Sequence, residues 1–245
     1  MLLVEARHEV EVRPESVPAT LARDGVVLIQ QGSVAEVAEL LDGWTVPVDH
    51  PHQVADGLTV ITPRIHSGAA DNEAGFTDLP LSPHTDRSLH KQPPSVLATL
   101  MLAPARAGGS ATLVDAAQVL MILRRRAEDA AIARLRLKTT AGQLGPPVVE
   151  FTSGHARIRY RDDRIAHPHS TDRHTDLVAD LRRLITETVR SLHLGEGDGY
   201  LVHNHRFLHG RTAFTGDRSL VRFLARVNSD HPYTWLNRGF SIASS

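Results

Sequence analysis

Apolar residues recur along this chain with two different periods. Val34, Val37, Leu40 and Leu41 form a stripe at helical spacing, and Ser33-Val34-Ala35-Glu36 ahead of it is a capping box, so a helix is predicted there. Leu177, Leu181, Leu184, Ile185 and Leu192 form a second stripe and predict a long amphipathic helix over residues 175–194. Pro18 in a first turn and Gly25 past a last turn bracket a shorter helix over 18–24. Elsewhere the apolar runs are short. Strands are predicted at 26–29, 58–62, 96–102, 111–114, 135–140, 148–152, 156–160 and 199–202. The clearest strand is Ser219–Val227, which alternates Val221, Phe223, Ala225 and Val227 on one face with Leu220, Arg222, Leu224 and Arg226 on the other. Many short strands with a few flanking helices predict a mainly β jelly roll.

Composition adds boundaries. The 245 residues suit one domain spanning 1–245, with 41% hydrophobic and 22% charged residues. A net charge of -1 offers no electrostatic footprint for nucleic acid or an anionic membrane, so a small molecule is the expected partner. No apolar run approaches the roughly 20 residues of a membrane helix, and the first residues lack a secretory pattern. Zero cysteines exclude disulfides and thiolate metal sites and suit a reducing cytoplasm.

Histidine placement changes the picture most. In extended chain, positions i and i+2 share a face, so His84 and Asp86 in Pro83-His84-Thr85-Asp86 can reach one ion while Thr85 points away. Far downstream, His209 lies between an apolar pair and Gly210. Two imidazoles and one carboxylate make a facial set that suits non-haem Fe(II) and leaves coordination positions open. Arg218 and Arg222, four residues apart around one strand, should face the same side about 13 Å apart at roughly 3.3 Å per residue. They suggest anion sites beside the metal. His205 shares strand parity with His209 and is its rival, with His203 alongside. A second His-Thr-Asp, His174-Thr175-Asp176, opens the long predicted helix, where i and i+2 diverge and cannot clasp one ion. Thr175 or Asp172 serves there more naturally as an N-cap. Residues 63–81 read as a loop, His155, His167 and His169 read as loop histidines, and part of 63–81 or of the 155–171 region is expected to fold over the site.

These motifs taken together resemble the 2-oxoglutarate-dependent dioxygenases of the taurine dioxygenase and clavaminate synthase type. The resemblance rests on His84-Thr85-Asp86, on Gly108-Gly109-Ser110-Ala111-Thr112-Leu113-Val114-Asp115, and on the block from His209 to Arg222, in the family's order. It implies a double-stranded β-helix, cupin-like in form, holding Fe(II) on His84, Asp86 and His209. It implies 2-oxoglutarate as cosubstrate, with its remote carboxylate on Thr112 and Arg218, and O2 as the oxidant. Arg222 is then the candidate for a substrate anion, or exchanges roles with Arg218, while Arg206, Arg211 and Arg226 are expected to be structural. The expected reaction is hydroxylation of a small polar carboxylate-bearing molecule; desaturation, epoxidation or ring closure would start from the same residues. A jelly roll that binds 2-oxoglutarate without catalysis, or a demethylase acting on protein or nucleic acid, would be the alternatives.

Overall fold

The structure, a computed structural model, describes residues 13–55, 57–64, 71–170 and 176–242. Two antiparallel sheets face each other. The larger has the order Val26–Ile29, Gly199–His203, Val96–Ala103, Ser219–Val227, Thr45–Pro47, and Leu58–Ile61 also pairs with Ser219–Val227. The smaller has the order Arg190–Leu192, Ala111–Asp115, Phe207–Arg211, Leu81–His84. This is the predicted jelly roll.

The alternation of Ser219–Val227 sets the layers. Val221, Phe223, Ala225 and Val227 lie outward, beneath helices Val17–Asp24 and Val34–Leu41, in a core shared with Val96, Ala98, Leu100 and Leu201. Both helices are read correctly from their ends. Gly25 closes the first in the left-handed conformation, with φ of 77°, and Ser33 and Glu36 make both bonds of the capping box. The opposite face of the large sheet turns inward, where Leu97, Tyr200, Val202 and Leu224 meet Ala111, Leu113 and Phe207 of the small sheet. A third layer, helices Ala116–Leu123 and Leu177–Thr188 with two small hairpin sheets, covers the outside of the small sheet through Val114 and Leu208.

Several sequence expectations require correction. The long helix ends at Thr188, not residue 194: Val189 turns extended with ψ of 138°, and Arg190–Leu192 joins the edge of Ala111–Asp115. Leu192 belongs to the inner core, because an unpaired sheet edge captured it from the helical stripe. His167 and His169 lie on a strand, Ala166–Ser170, paired with Leu135–Thr139; Pro168 is tolerated because that strand is an edge. His155 likewise begins a strand, His155–Ile158. His174 and Thr175 lie outside the described residues, as does Asp172, and the residue in the N-cap position of the helix is Asp176. Among the described residues no helix is long and apolar enough to cross a membrane.

His203 and His205 are both buried, at 1% exposure each, behind the small sheet's chain turn. The His203 ring nitrogen Nε2 donates to the carbonyl of Leu236 at 2.9 Å. Burial, reinforced by Arg206 and Arg157, pushes the His203 imidazole down to about 4, and burial beside His203 holds His205 well below its ordinary value. Both are folded neutral. A histidine with a lowered folded pKa stabilises the fold above pH about 6.5, and that contribution is lost as pH falls toward the folded pKa. The apoprotein is therefore expected to lose stability between pH 6.5 and 4, with His203 accounting for about 3 kcal/mol. His203→Gln, which keeps a donor toward Leu236, should flatten that slope when urea midpoints are compared from pH 7.5 to 4.5. An unchanged slope would show that protonation of His203 is not what the acid limb reports.

Candidate active site

Between the sheets, at one end of the roll, a cavity of about 320 Å³ opens. His84, His209, Ala111, Arg211 and Leu81 face it from the small sheet. Thr99, Tyr200, Leu220, Arg222 and Ile61 face it from the large one. Arg218, one residue ahead of its strand, also lines it, so both arginines singled out in the sequence reach one chamber.

Each metal-type ligand is placed by backbone contacts around it. His84 ends Leu81–His84 directly opposite His209, with ring centroids 4.5 Å apart. The chain then leaves the sheet and is caught twice. Thr85 donates its N–H to the carbonyl of Tyr160 at 2.8 Å, and its hydroxyl accepts from Tyr160 N at 3.1 Å, so this side chain does turn away. Asn204 accepts the N–H of Asp86 at 2.9 Å and returns a bond to the Asp86 carbonyl at 3.1 Å, with a further bond to Pro94 at 2.8 Å. The ligand atoms of His84, Asp86 and His209 all lie within 4.8 Å of one another, and all three residues are buried.

The donor set fits Fe(II). His84 Nδ1 donates to the Ser82 carbonyl at 3.0 Å, which fixes the tautomer and presents Nε2 as a free lone pair. His209 Nδ1 is buried without a hydrogen-bond partner. Burial pulls both imidazoles down, His209 to about 3, so each is neutral and ready to ligate. Burial alone would raise the Asp86 carboxyl, but Arg222, followed by the two histidines, outweighs it and holds Asp86 at about 2. Arg222 Nη1 lies 3.0 Å from Asp86 Oδ2, and its Nη2 lies 3.0 Å from His50 Nε2.

Thr112, the hydroxyl expected beside Arg218, is buried with no hydrogen-bond partner. Thr112 is opposite Gly210 and Ser191, on the parity that faces the covering helices, and does not line the cavity. Its neighbour Ala111 does. One residue of offset moves a side chain to the other face of a strand, and the Thr112 hydroxyl lies against Gly210, which lines the chamber. Two hydroxyl-bearing side chains of the large sheet line the chamber directly. Thr99 is directly opposite Tyr200, and its buried hydroxyl is close enough to act on the Tyr200 phenol. Burial raises the Tyr200 phenol to about 12, which keeps it a proton donor.

His50, Arg87, Thr99 and Tyr200 were not singled out in the sequence. His50 has no motif around it and is brought in by the interruption of a sheet edge: Thr45–Pro47 and Leu58–Ile61 pair with successive parts of Ser219–Val227, and the chain between them bulges toward the cavity. Arg211 lines the cavity as well, but its guanidinium is bound to the carbonyls of Thr77 and Leu79, so it fastens that segment, as a structural reading expects. Arg206 pairs with Asp115 at 2.7 Å and Arg226 with Gln92 at 2.6 Å. His205 neighbours Arg157, Arg159 and Arg226 and is not in the metal-type cluster. Of the expected lid, 65–70 lie outside the described residues, and Asp71–Phe76 forms a short 3-10 helix whose Ala74, Gly75 and Phe76 line the cavity.

A jelly roll with two imidazoles and one carboxylate at the mouth between its sheets defines a non-haem iron oxygenase. The chain belongs to the taurine catabolism dioxygenase TauD, TfdA family, whose model matches residues 11–224. It is an Fe(II)- and 2-oxoglutarate-dependent dioxygenase. Solved structures share the fold at low identity. An asparagine oxygenase in complex with Fe(II), 2S,3S-3-hydroxyasparagine and succinate aligns with a TM-score of 0.65 and 18% identity over 86% of this chain and 78% of that one. PvcB from Pseudomonas aeruginosa aligns with a TM-score of 0.64 and 15% identity over 90% and 85%. The non-heme iron oxygenase OrfP, with Fe and alpha-ketoglutaric acid, aligns at 0.55 and 17% over 77% and 61%. No curated protein matches the chain.

Asp86→Ala is expected to abolish stoichiometric Fe(II) binding, measured anaerobically by metal content after gel filtration, with the circular dichroism spectrum preserved. His205→Gln is expected to retain the iron. Iron retained by Asp86→Ala but lost from His205→Gln would displace the assignment to the rival histidine.

Proposed function

We propose that the enzyme hydroxylates a small polar molecule bearing a carboxylate, using His84, Asp86 and His209 to hold Fe(II) and Arg218 to hold 2-oxoglutarate. The single observation that carries this is the isolation of Arg218. Its guanidinium is 5% exposed, lines the cavity within the same chamber as the three ligands, and makes no ion pair or hydrogen bond among the described residues. A buried cation without an anion is costly, so the site is complementary to a ligand that brings one.

Fe(II) with 2-oxoglutarate and O2 supplies the oxidising power to place oxygen on a substrate carbon, with succinate and CO2 released. The protein's residues bind and aim. The remote carboxylate of the cosubstrate takes two parallel hydrogen bonds from the planar Arg218 guanidinium. The Thr99 and Tyr200 hydroxyls complete the shell in place of Thr112; Tyr200 is close enough to Arg218 for their charges to interact. Arg222, whose Nε is buried and unpaired, takes the substrate carboxylate, with His50 bracing the guanidinium from the far side. The apolar lining from Phe76, Leu81, Leu89, Ile165 and Leu220 excludes water around the carbon to be attacked.

Titration of 2-oxoglutarate into anaerobic Fe(II) protein tests the cosubstrate site. Arg218→Ala should weaken binding a hundredfold or more, on the order of 3–5 kcal/mol. Tyr200→Phe should cost about tenfold, as expected for a bond to a charged group, and Thr112→Val less than about threefold. Thr112→Val losing as much as Arg218→Ala would restore the threonine to the site. Arg222→Ala should leave 2-oxoglutarate affinity nearly intact, raise substrate KM, and increase the succinate formed per product, because a loosely held substrate is missed by the oxidant. If Arg222→Ala is instead the variant that loses 2-oxoglutarate, the two arginines have exchanged roles.

A further inference from the structure

We propose that Arg87 is a second anion-binding residue of the substrate site, and that the substrate is a small molecule carrying two anionic groups rather than one. The inference rests on the oxygenase reading and narrows its substrate class.

Arg87 immediately follows the metal-type ligand Asp86 and lines the cavity. Its backbone is left-handed, with φ of 56°, a region L-residues other than asparagine and aspartate enter uncommonly. The conformation is enforced on both sides. Asn204 clamps the peptide of Asp86 before it, and His90 N donates to the Arg87 carbonyl at 2.8 Å after it. A strained arginine held between two fixed points at a ligand-lined cavity is a pattern found where a side chain must be aimed.

The Arg87 guanidinium has no hydrogen bond or ion pair among the described residues, although the Asp86 carboxylate is near enough to act on its charge, and the other cavity arginines have partners or an assigned ligand. Arg161 is paired with Asp163 at 2.6 Å. Arg211 is bound by backbone carbonyls. Arg218 is assigned to the cosubstrate. Asp86 is the sole carboxylate lining the cavity among the described residues. When iron and 2-oxoglutarate are bound, the charge of the metal is matched by Asp86 and one cosubstrate carboxylate, and Arg218 by the other. The positive charges of Arg222 and Arg87 then remain facing the half-closed chamber, where a ligand with two negative charges would complement them; Arg211 keeps its charge but is turned to backbone carbonyls. The same lining disfavours a substrate with a cationic side chain, since among the described residues no free carboxylate lines the cavity to receive it.

The test uses the full chain loaded anaerobically with Fe(II) and saturating 2-oxoglutarate, titrated calorimetrically with dicarboxylates, acidic amino acids, monocarboxylates of matched length, and neutral and basic amino acids. The wild type is expected to bind its best dianionic ligand at least about thirtyfold more tightly than the matched monoanion, about 2 kcal/mol by the affinity relation. Arg87→Gln should reduce that ratio to under about threefold, and Arg87→Lys should restore part of it. A wild type that prefers monoanions or cations, or binds no dianion after binding 2-oxoglutarate, overturns the proposal. So does an Arg87→Gln variant with an unchanged ratio. A wild type that fails to bind 2-oxoglutarate in the loading step overturns the oxygenase reading and this inference with it; the two failures are read at separate steps of one experiment.

Discussion

The site depends on one side-chain amide. Asn204 reaches across 118 residues of sequence to hold both polar groups of the Asp86 backbone, and it holds Pro94 with its remaining hydrogen. Without that clamp the chain after His84 has left its sheet and has no ladder to define it. With the clamp, a carboxylate is set beside two imidazoles that are themselves fixed by strand pairing. Asn204 is 0% exposed, so its bonds form out of competition with water, where a lost partner leaves an unsatisfied group. The same turn that carries Asn204 leads into Phe207–Arg211, and hence to His209. One buried residue thus ties the first ligand motif to the second.

Charge is the second organising constraint. Among the described residues the chamber gathers arginines from several separate segments around a single carboxylate, an arrangement that would be unfavourable if every cation were left bare. Some are satisfied internally, by the Asp163 carboxylate or by carbonyls, and serve to fasten loops. The Arg218 and Arg87 guanidinium groups make no ion pair among the described residues, and Arg222 is shared with Asp86 and His50. The interrupted sheet edge that delivers His50 belongs to the same design, because a continuous edge strand along Ser219–Val227 would have kept the intervening chain away from the cavity.

The sequence by itself determined the elements whose signals are local. Caps at Ser33 and Gly25, the alternation of Ser219–Val227 and the two-residue spacing of His84 and Asp86 all act within a few bonds, and the family resemblance added the distant His209. The tertiary structure decided whatever depends on a neighbour far along the chain. Leu192 left a helical stripe because the edge of Ala111–Asp115 was open to pairing. Strand parity, set by the pairing of Thr112 with Gly210, faces Ala111 into the cavity. His50, Thr99, Tyr200 and Arg87 carry no spacing that marks them; they meet only when two sheets close on each other. A motif records which side chains lie close along the backbone, whereas a pocket is made of side chains close in space, and packing alone brings the second set together.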